Sequence, residues 1–335
     1  MPEQTAVVPD RGEEIPTASC PTEREQRQSA PPHHSLWARI RRDRMLLLFA
    51  LPGVALFVAF HYLPILGNAI AFKDYLPFLG IQGSEWVGFE NFEPLINGDP
   101  YFLDALQNTL LITAVQTLFV FPAPIALALL LNSMVSERVK QTVQSILYLP
   151  HFLSWVVVVA IFQQVLGGTG YISNFLRQHG GQGLDIMSNP DTFVALLTSQ
   201  VIWKDTGWAT ILFLAVLSQI DKELYEASSV DGAGRWRQMW HITLPGMRGI
   251  IIMLLILKLG DSLSVGFEQI ILQQKAVGLE VGEVLDTYIY NNGVRGGEWG
   301  VSAAVGLVKG LVGVVLVFSA NKIAHIFGEA GVYQK

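Results

Sequence analysis

Six long apolar runs dominate this sequence, and each is long enough to cross the hydrocarbon core of a lipid bilayer. They cover approximately residues 45–72, 104–131, 143–166, 193–217, 246–268 and 300–326. About 20 consecutive apolar residues suffice for a transmembrane α-helix, and a bilayer offers an unpaired backbone no hydrogen-bond partner. Only 15% of the residues are charged, whereas soluble domains average about 25%. The sequence therefore predicts an all-α membrane protein with six transmembrane helices.

Positive charges predict how these helices are oriented, because Lys and Arg accumulate in the cytosolic loops of membrane proteins. If both termini are cytosolic, twelve basic residues lie on the cytosolic side: Arg39, Arg41, Arg42, Arg44, Arg138, Lys140, Lys222, Arg235, Arg237, Arg248, Lys322 and Lys335. The opposite side then holds four: Lys73, Arg177, Lys275 and Arg295. This bias predicts an N-in, C-in topology.

Four segments follow from the pattern of runs and loops. We predict a disordered cytosolic tail at 1–36, the first transmembrane helix with an extracytoplasmic loop at 37–103, a five-helix core at 104–326 that includes a cytosolic loop at 218–248, and a cytosolic C-terminal tail at 327–335. The first tail is rich in Pro, Glu, Gln and Ser and has almost no large apolar residue. Such a segment cannot bury enough surface to fold alone.

The cytosolic loop is a polar stretch of helix-forming residues between two apolar runs. Apolar residues recur at helical spacing before the glycines of this loop, at Ile220, Leu224, Ala227 and Val230. They recur again after the glycines, at Trp236, Met239 and Trp240. We therefore predict two short helices joined at Gly232 and Gly234, where glycine permits a sharp change of direction. Pro245 suits the first turn of the helix that re-enters the membrane.

The spacing of residues in this loop is specific. Glu226-Ala227 is followed by Gly232 and, after nine further residues, by Ile242-x-Leu244-Pro245. This pattern resembles the EAA motif of the membrane subunits of binding-protein-dependent ABC importers, with Ser228 where the family usually has alanine. The resemblance implies a type I importer permease core (MetI-like), in which the motif forms coupling helices that dock into a groove on a separate ATPase. It assigns ATPase coupling to Glu226, Ala227, Ser228, Asp231, Gly232, Ala233, Ile242, Leu244 and Pro245.

The same resemblance implies an assembly in a bacterial plasma (inner) membrane. The expected partners are a second homologous permease subunit, a dimer of ATP-binding subunits, an extracytoplasmic solute-binding protein, a carbohydrate substrate and membrane lipid. ATP and Mg would be bound by the partner ATPase. The chain has no G-x-x-x-x-G-K-[ST] stretch and no Cys/His metal spacing, so we expect no cofactor, no metal and no catalytic residue in it. No basic stripe with interleaved aromatics indicates nucleic acid.

Two outer segments bear on the substrate. Trp86-Val87-Gly88-Phe89-Glu90-Asn91-Phe92 looks like a segment common in carbohydrate-importing permeases. His61-Tyr62-Leu63-Pro64 through Phe72-Lys73-Asp74-Tyr75 is similar to the polysaccharide-permease branch of the same family. The resemblance implies a carbohydrate, and an oligosaccharide in particular. An interfacial aromatic belt explains the aromatic residues of the first segment equally well, and importers of other solutes share the EAA motif.

Polar and aromatic residues inside the apolar runs are candidates for a translocation path. Sugars expose hydroxyl groups and apolar ring faces, so a path for them needs polar groups and aromatic rings. The candidates are Gln163, Gln200, Trp203, Asp205, Trp208, Asp261 and Glu268. Gly207 would mark a helix break that exposes backbone groups to the path. A proton-coupled secondary transporter that titrates Asp205 or Asp261, or an intramembrane enzyme, would use the same charges differently.

Two further expectations concern packing. Lys258 and Asp261 are three residues apart and share a helix face, so we predict a structural ion pair between them. Apolar residues at helical spacing within 284–289 predict a short helix that lies on the outer surface.

Overall fold

The computed structural model describes residues 43–134, 136–326 and 328. The predicted tail at 1–36 therefore lies outside the described residues, and so does the C-terminal tail except for Gly328. The chain divides into two compact units, Met1–Ile65 and Leu66–Lys335, which are described separately below.

The first unit contains helix α1 (Arg44–Phe57), which continues in a π-helical turn, Val58–Tyr62. No residue of either segment is buried. The exposed surface of these two segments is almost entirely apolar. Lipid tails are as apolar as these side chains, so a bilayer covers this surface at little cost. The chain then runs in a 3₁₀ helix, Leu63–Phe72, into the second unit.

The second unit is mostly helical. Its two short strands, β1 (Lys73–Asp74) and β2 (Glu85–Trp86), pair antiparallel with Lys73 opposite Trp86. Its α-helices in chain order are α2 (Gly80–Gly83), α3 (Glu93–Asn97), α4 (Pro100–Phe119), α5 (Pro122–Asn132), α6 (Glu137–Tyr148), α7 (Trp155–Leu166), α8 (Tyr171–Gln178), α9 (Phe193–Leu217), α10 (Lys222–Val230), α11 (Arg235–Gln238), α12 (Leu244–Gly260), α13 (Phe267–Ile271), α14 (Gln274–Val277), α15 (Leu279–Gly282), α16 (Leu285–Ile289) and α17 (Trp299–Ile326).

Short 3₁₀ and π segments connect several of these helices. The 3₁₀ turns are Glu90–Phe92, Leu149–Phe152 and Pro190–Thr192. The π turns of this unit are Met239–Thr243, between α11 and α12, and Tyr290–Arg295, after α16.

Five helical stretches of the described chain are long and apolar enough to cross a membrane: Arg44–Phe72, Pro100–Asn132, Trp155–Gln178, Arg235–Gly260 and Trp299–Ile326. A sixth is the bent pair Pro190–Leu217 and Lys222–Val230, which turns by 73° between its two helices. The all-α membrane fold is therefore confirmed, with five or six membrane-length helices. The orientation of the termini stays a prediction.

Two of the predicted helix boundaries are wrong. The run at 143–166 is broken around Pro150: α6 ends at Tyr148, a 3₁₀ turn follows because proline has no backbone N–H to continue the α-helix, and the chain becomes extended at Leu153. The membrane-length helix there begins at Trp155. The run at 246–268 instead belongs to a helical stretch that begins at Arg235 and ends at Gly260. Pro245 lies in the first turn of α12, after the π turn, so the chain stays helical through it.

Helix α9 lies at the centre of the second unit. Its N-terminal half contributes Phe193 and Leu197 to a buried cluster with Ile112 of α4 and Val284. Its C-terminal half contributes Phe213 and Leu217 to a second cluster, which includes Ala128 of α5 and Met247 of α12. Burial of a large apolar side chain contributes about 1.5–3 kcal/mol in water, and in a bilayer close packing takes over this role.

Helix α4 shows the depth at which α12 ends. The hydroxyl of Thr113 donates to the carbonyl oxygen of Ser262. Thr113 is thirteen residues beyond Pro100, which corresponds to about 20 Å along α4. Helix α12 therefore stops near the middle of the helix bundle, and an irregular turn follows it, in which Gly266 has φ +52°. Irregular backbone at this depth is tolerated only where protein buries it or water reaches it.

Candidate functional site

The predicted joint between the two short helices of the cytosolic loop is present. Asp221 caps the start of α10, since its carboxylate accepts a hydrogen bond from the backbone N–H of Glu223 at 2.9 Å. It ends where the N–H of Gly232 donates to the carbonyl oxygen of Ser229 at 3.1 Å and that of Ala233 to Ser228 at 2.9 Å. Gly232 has φ +78°, which other residues adopt only with strain. The chain therefore reverses here, and α11 follows after Gly234.

The side chain of Gln238 joins the two short helices. Its Nε2 donates to the carbonyl oxygen of Tyr225 at 3.2 Å and to the hydroxyls of Ser228 at 3.0 Å and Ser229 at 2.9 Å. The hydroxyl of Tyr225 also lies 3.0 Å from that of Thr243 in the π turn. These bonds fix the loop as one unit. The sequence does not reveal Gln238, since no local pattern links it to residues nine or more positions earlier.

The 222–245 part of this loop has an exposed apolar face. Val230 is 88% exposed, Trp236 71%, Trp240 54% and Leu224 53%. Among the residues assigned to coupling, the exposed ones are Glu226, Ala227, Asp231, Gly232 and Pro245. The half-buried ones are Ser228, Ala233, Ile242 and Leu244. Large exposed apolar patches with a polar rim are typical of docking surfaces.

A second group of functional candidates lies midway along α9. Asp205 is 2.9 Å from Nδ1 of His151, and the His151 ring stacks on Trp208 with centroids 4.7 Å apart and an interplanar angle of 2°. Lys204 donates from Nζ to the carbonyl oxygen of His151 at 2.7 Å and lies 3.7 Å from Asp205. The Lys204 ammonium also lies over the ring of Trp155, at 5.5 Å. The structure thus joins two of the predicted path residues, Asp205 and Trp208, through His151.

His151 was missed at the sequence level, because it lies on a 3₁₀ turn before α7 and belongs to no recognisable motif. Trp203 is 41% exposed and meets Phe162 edge to face at 5.8 Å. The predicted helix break at Gly207 is absent, since α9 runs unbroken through it. A Cβ at Gly207 would collide with the carbonyl oxygen of Leu147. The glycine therefore serves close packing of α9 against α6.

Gln200 is placed in the core instead of along a path. It is fully buried, and its Oε1 accepts from Nε2 of Gln269 at 2.7 Å and of Gln273 at 3.0 Å. A side chain without exposed surface cannot line a path, so this prediction is corrected. Gln163, by contrast, is exposed near the end of α7.

The remaining predicted path residues lie near the end of α12. Asp261 and Ser264 line a cleft of about 620 Å³ between α12, α16 and α17, where Asp286 and Lys309 form an ion pair. Glu268 is exposed on α13. Glycines at 306, 310 and 313 also line the cleft; a Cβ at Gly310 would meet nothing within 4 Å, whereas one at Gly313 would lie 2.9 Å from the carbonyl oxygen of Gly260.

The outer segment carries the aromatic sequence that resembles sugar permeases. Phe72 stacks on Trp86 at 5.7 Å and meets Phe89 edge to face at 5.5 Å. Asn91 donates to the carbonyl oxygens of Ala71 and Lys73, both at 3.0 Å. This asparagine therefore anchors the segment, while Trp86 and Phe89 stay 63% and 73% exposed.

The predicted surface helix at 284–289 is buried instead. Leu285, Thr287 and Tyr288 of α16 are buried in the core, and the N–H of Leu285 donates to the Thr109 hydroxyl of α4 at 2.9 Å. Burial raises the pKa of the nearby Glu283 carboxyl, against the opposing effect of a hydrogen bond from Asn291. No group of His, Cys, Asp or Glu suited to a metal ion occurs in the part of the chain that the structure describes.

These features define a multi-pass membrane protein. Its 222–245 loop presents an exposed apolar face, and polar residues lie midway along its long helices. The family model described as "Binding-protein-dependent transport system inner membrane component" matches residues 120–328. The chain belongs to this family, whose members are permease subunits of ABC transporters without an ATPase site of their own.

Characterised relatives are similar over most of their length. The chain is 45% identical over 300 residues to protein LplB of Bacillus subtilis (strain 168), covering 89% of this chain and 94% of the relative. It is 45% identical over 299 residues to the polygalacturonan/rhamnogalacturonan transport system permease protein YteP of the same organism, covering 89% and 93%.

A solved structure shows the same fold. One chain of a bacterial alginate ABC transporter, in complex with an alginate pentasaccharide-bound periplasmic protein, superposes with a TM-score of 0.81 at 36% identity. The match covers 89% of this chain and all of that chain.

Proposed function

We propose that this chain forms half of the translocation path for an oligosaccharide in an ATP-driven importer of the bacterial plasma membrane, with both termini in the cytosol. The partners would be a second permease subunit, a dimer of ATP-binding subunits that holds ATP and Mg, and an extracytoplasmic solute-binding protein. The chain itself would be a transport subunit and no enzyme. The relative named for polygalacturonan/rhamnogalacturonan transport supports the choice of substrate class.

The observation that carries the proposal is the exposed apolar face of the 222–245 loop. Gln238 and the Gly232 turn hold its two helices in one arrangement, so a partner that binds this face can move it as a unit. An ATPase can shift a transporter between states only if it binds those states differently. A rigid helix pair in a groove supplies such a difference. We place the docking contact at Val230, Trp236 and the EAA residues around them.

The mid-membrane residues support the transport half of the proposal. Trp208, His151 and Asp205 combine an aromatic face with a hydrogen-bond acceptor, which suits a sugar ring and its hydroxyls. We assign them to the path together with Trp203, and we retain Gln163, Asp261 and Glu268 as polar groups near it. A proton-coupled carrier would need no exposed apolar face to which an ATPase could bind.

A substitution on the exposed apolar face of the 222–245 loop tests the proposal. Val230→Asp adds a charge to the most exposed apolar position of the loop, where burial against an ATPase would leave the carboxylate unpaired. We expect co-purification with the ATP-binding subunits to be lost and ATP-driven oligosaccharide uptake in proteoliposomes to fall at least tenfold. Membrane insertion should be unchanged.

Ile96→Asp provides the matched control, since Ile96 is 75% exposed on α3, outside the loop. It should copurify and transport like the unaltered protein. If Val230→Asp keeps full ATPase binding and uptake, this face is not the coupling surface. If the unaltered assembly takes up no oligosaccharide, the substrate assignment fails.

A further inference from the structure

Three lysines lie within membrane-length helices: Lys204 and Lys309 near the middle of α9 and α17, and Lys258 in the last turn of α12. A charged side chain at the bilayer centre costs about 2.5–3.5 kcal/mol on insertion scales, so each needs a compensating group. Lys204 has one in the carbonyl oxygen of His151 and in Asp205. Lys309 has one in Asp286.

Lys258 differs from the other two. Its predicted partner, Asp261, follows the end of α12 and lines the cleft against α17, whereas Lys258 is not part of that lining. Within the described residues, no hydrogen bond or ion pair reaches the Lys258 ammonium. The predicted Lys258–Asp261 pair is therefore not formed, and the side chain is half-buried without a counter-charge.

The position of Lys258 shows which way it faces. Ile251 and Leu254 of α12 pack on the cluster formed by α5 and α9. Lys258 lies one turn beyond Leu254 and continues this stripe. It is also four residues before Ser262, which contacts Thr113 near the middle of the bundle. The cation therefore lies at mid-depth on the face of α12 that is turned toward the other helices.

The end of the helix does not account for a lysine here. A cation in the last helical turn gains about 0.3–1 kcal/mol from the helix dipole. This gain is smaller than the cost of holding the charge at this depth. An anion or water next to the Lys258 ammonium would supply the difference.

We propose that Lys258 is a specificity-determining residue that binds the carboxylate of an acidic sugar, a uronic acid unit of an oligosaccharide, during translocation. This inference rests on the proposed function. A carboxylate would carry its own desolvation cost into the membrane, and a charge-assisted hydrogen bond to an ammonium group offsets both costs at once. A neutral sugar gains little from this residue. The carboxyl end of α12 disfavours a doubly charged phosphate more strongly than a singly charged carboxylate.

Binding measurements on the purified assembly, without the solute-binding protein, test the charge preference. The probes are trigalacturonate and its carboxyl-reduced neutral analogue, compared by equilibrium dialysis. We expect Lys258→Gln to raise the Kd for trigalacturonate at least tenfold and the Kd for the neutral analogue less than twofold. Lys258→Arg should restore most of the affinity for the acidic sugar.

The control is Lys275→Gln, which removes an exposed positive charge between α13 and α15 and should change neither Kd. An equal loss of affinity for both sugars in Lys258→Gln would overturn the inference. So would a Kd of this variant for trigalacturonate within twofold of that of the unaltered assembly. ATP-driven uptake of the two sugars by the unaltered assembly is measured in parallel. Uptake of neither contradicts the proposed function, whereas uptake with no effect of Lys258→Gln contradicts only the role of this lysine.

Discussion

The ring of Trp208 lies flat against His151 and keeps 45% of its surface exposed. Phe152 meets the same ring edge to face at 5.6 Å, so its orientation is fixed from two sides. An oriented ring that is already half covered loses little conformational freedom when a sugar packs on its open face.

Replacement of this ring tests its role in the path. Trp208→Ala removes the stacking surface and should lower the apparent affinity for the transported oligosaccharide by up to about tenfold, since aromatic contacts of this kind contribute up to about 1.5 kcal/mol. Trp208→Phe keeps a flat ring and should stay within threefold. Initial uptake rates over a range of substrate concentrations provide the measurement. Equal kinetics for the two variants would place the ring outside the path.

Single residues also show the limit of inference from sequence. Asp205 stands out from sequence alone, because charged residues inside an apolar run are rare, and its role in a path stays a prediction. Gln200 was misassigned, because its burial depends on Gln269 and Gln273, about seventy positions away. Lys258 was paired with Asp261 on helical spacing, but the helix ends between them.

Helix α9 approaches α6 so closely that only glycine fits at position 207. The obstacle is the Leu147 carbonyl oxygen, which belongs to the backbone and cannot rotate away as a side chain can. Gly310 in α17 is the opposite case, since nothing lies within 4 Å of a Cβ built there.

These two glycines make a matched pair for a stability test. Gly207→Ala should lower the melting temperature of the purified permease clearly, since the helices must separate to admit the methyl group. Gly310→Ala should leave it unchanged or raise it, because alanine favours a helix over glycine by about 0.5–1 kcal/mol. Thermal unfolding in detergent gives both values. A tolerated Gly207→Ala would contradict the close α6–α9 approach.

At the level of elements, apolar periodicity predicted where helices occur but not where they end. Pro150 breaks one run and Pro245 does not break another, although both prolines follow apolar residues. Helix α6 ends at Tyr148, just before Pro150, whereas Pro245 lies in the first turn of α12, where the missing N–H is tolerated, and follows a π turn. Such a turn depends on contacts such as Tyr225 with Thr243, which a local pattern does not contain.

The arrangement of the whole molecule across the membrane can be tested with its single cysteine removed. In a Cys20→Ser background, a cysteine at Lys222 or Lys275 provides one exposed thiol in the cytosolic loop or on the outer side, respectively. An impermeant maleimide added to intact cells should label Lys275→Cys and not Lys222→Cys. Inverted vesicles should give the opposite result. Labelling of both from one side would contradict the N-in, C-in topology.

The helical stretch from Arg235 to Gly260 runs continuously from α11 through the π turn to the end of α12. Its 26 residues correspond to a rod of about 39 Å. A motor that tilts one end of such a rod displaces the other end by a distance proportional to its length, so a few degrees shift the Lys258 ammonium by ångströms. Movement imposed on the loop by the ATPase would then be transmitted along one stiff helix to the lysine that binds the substrate.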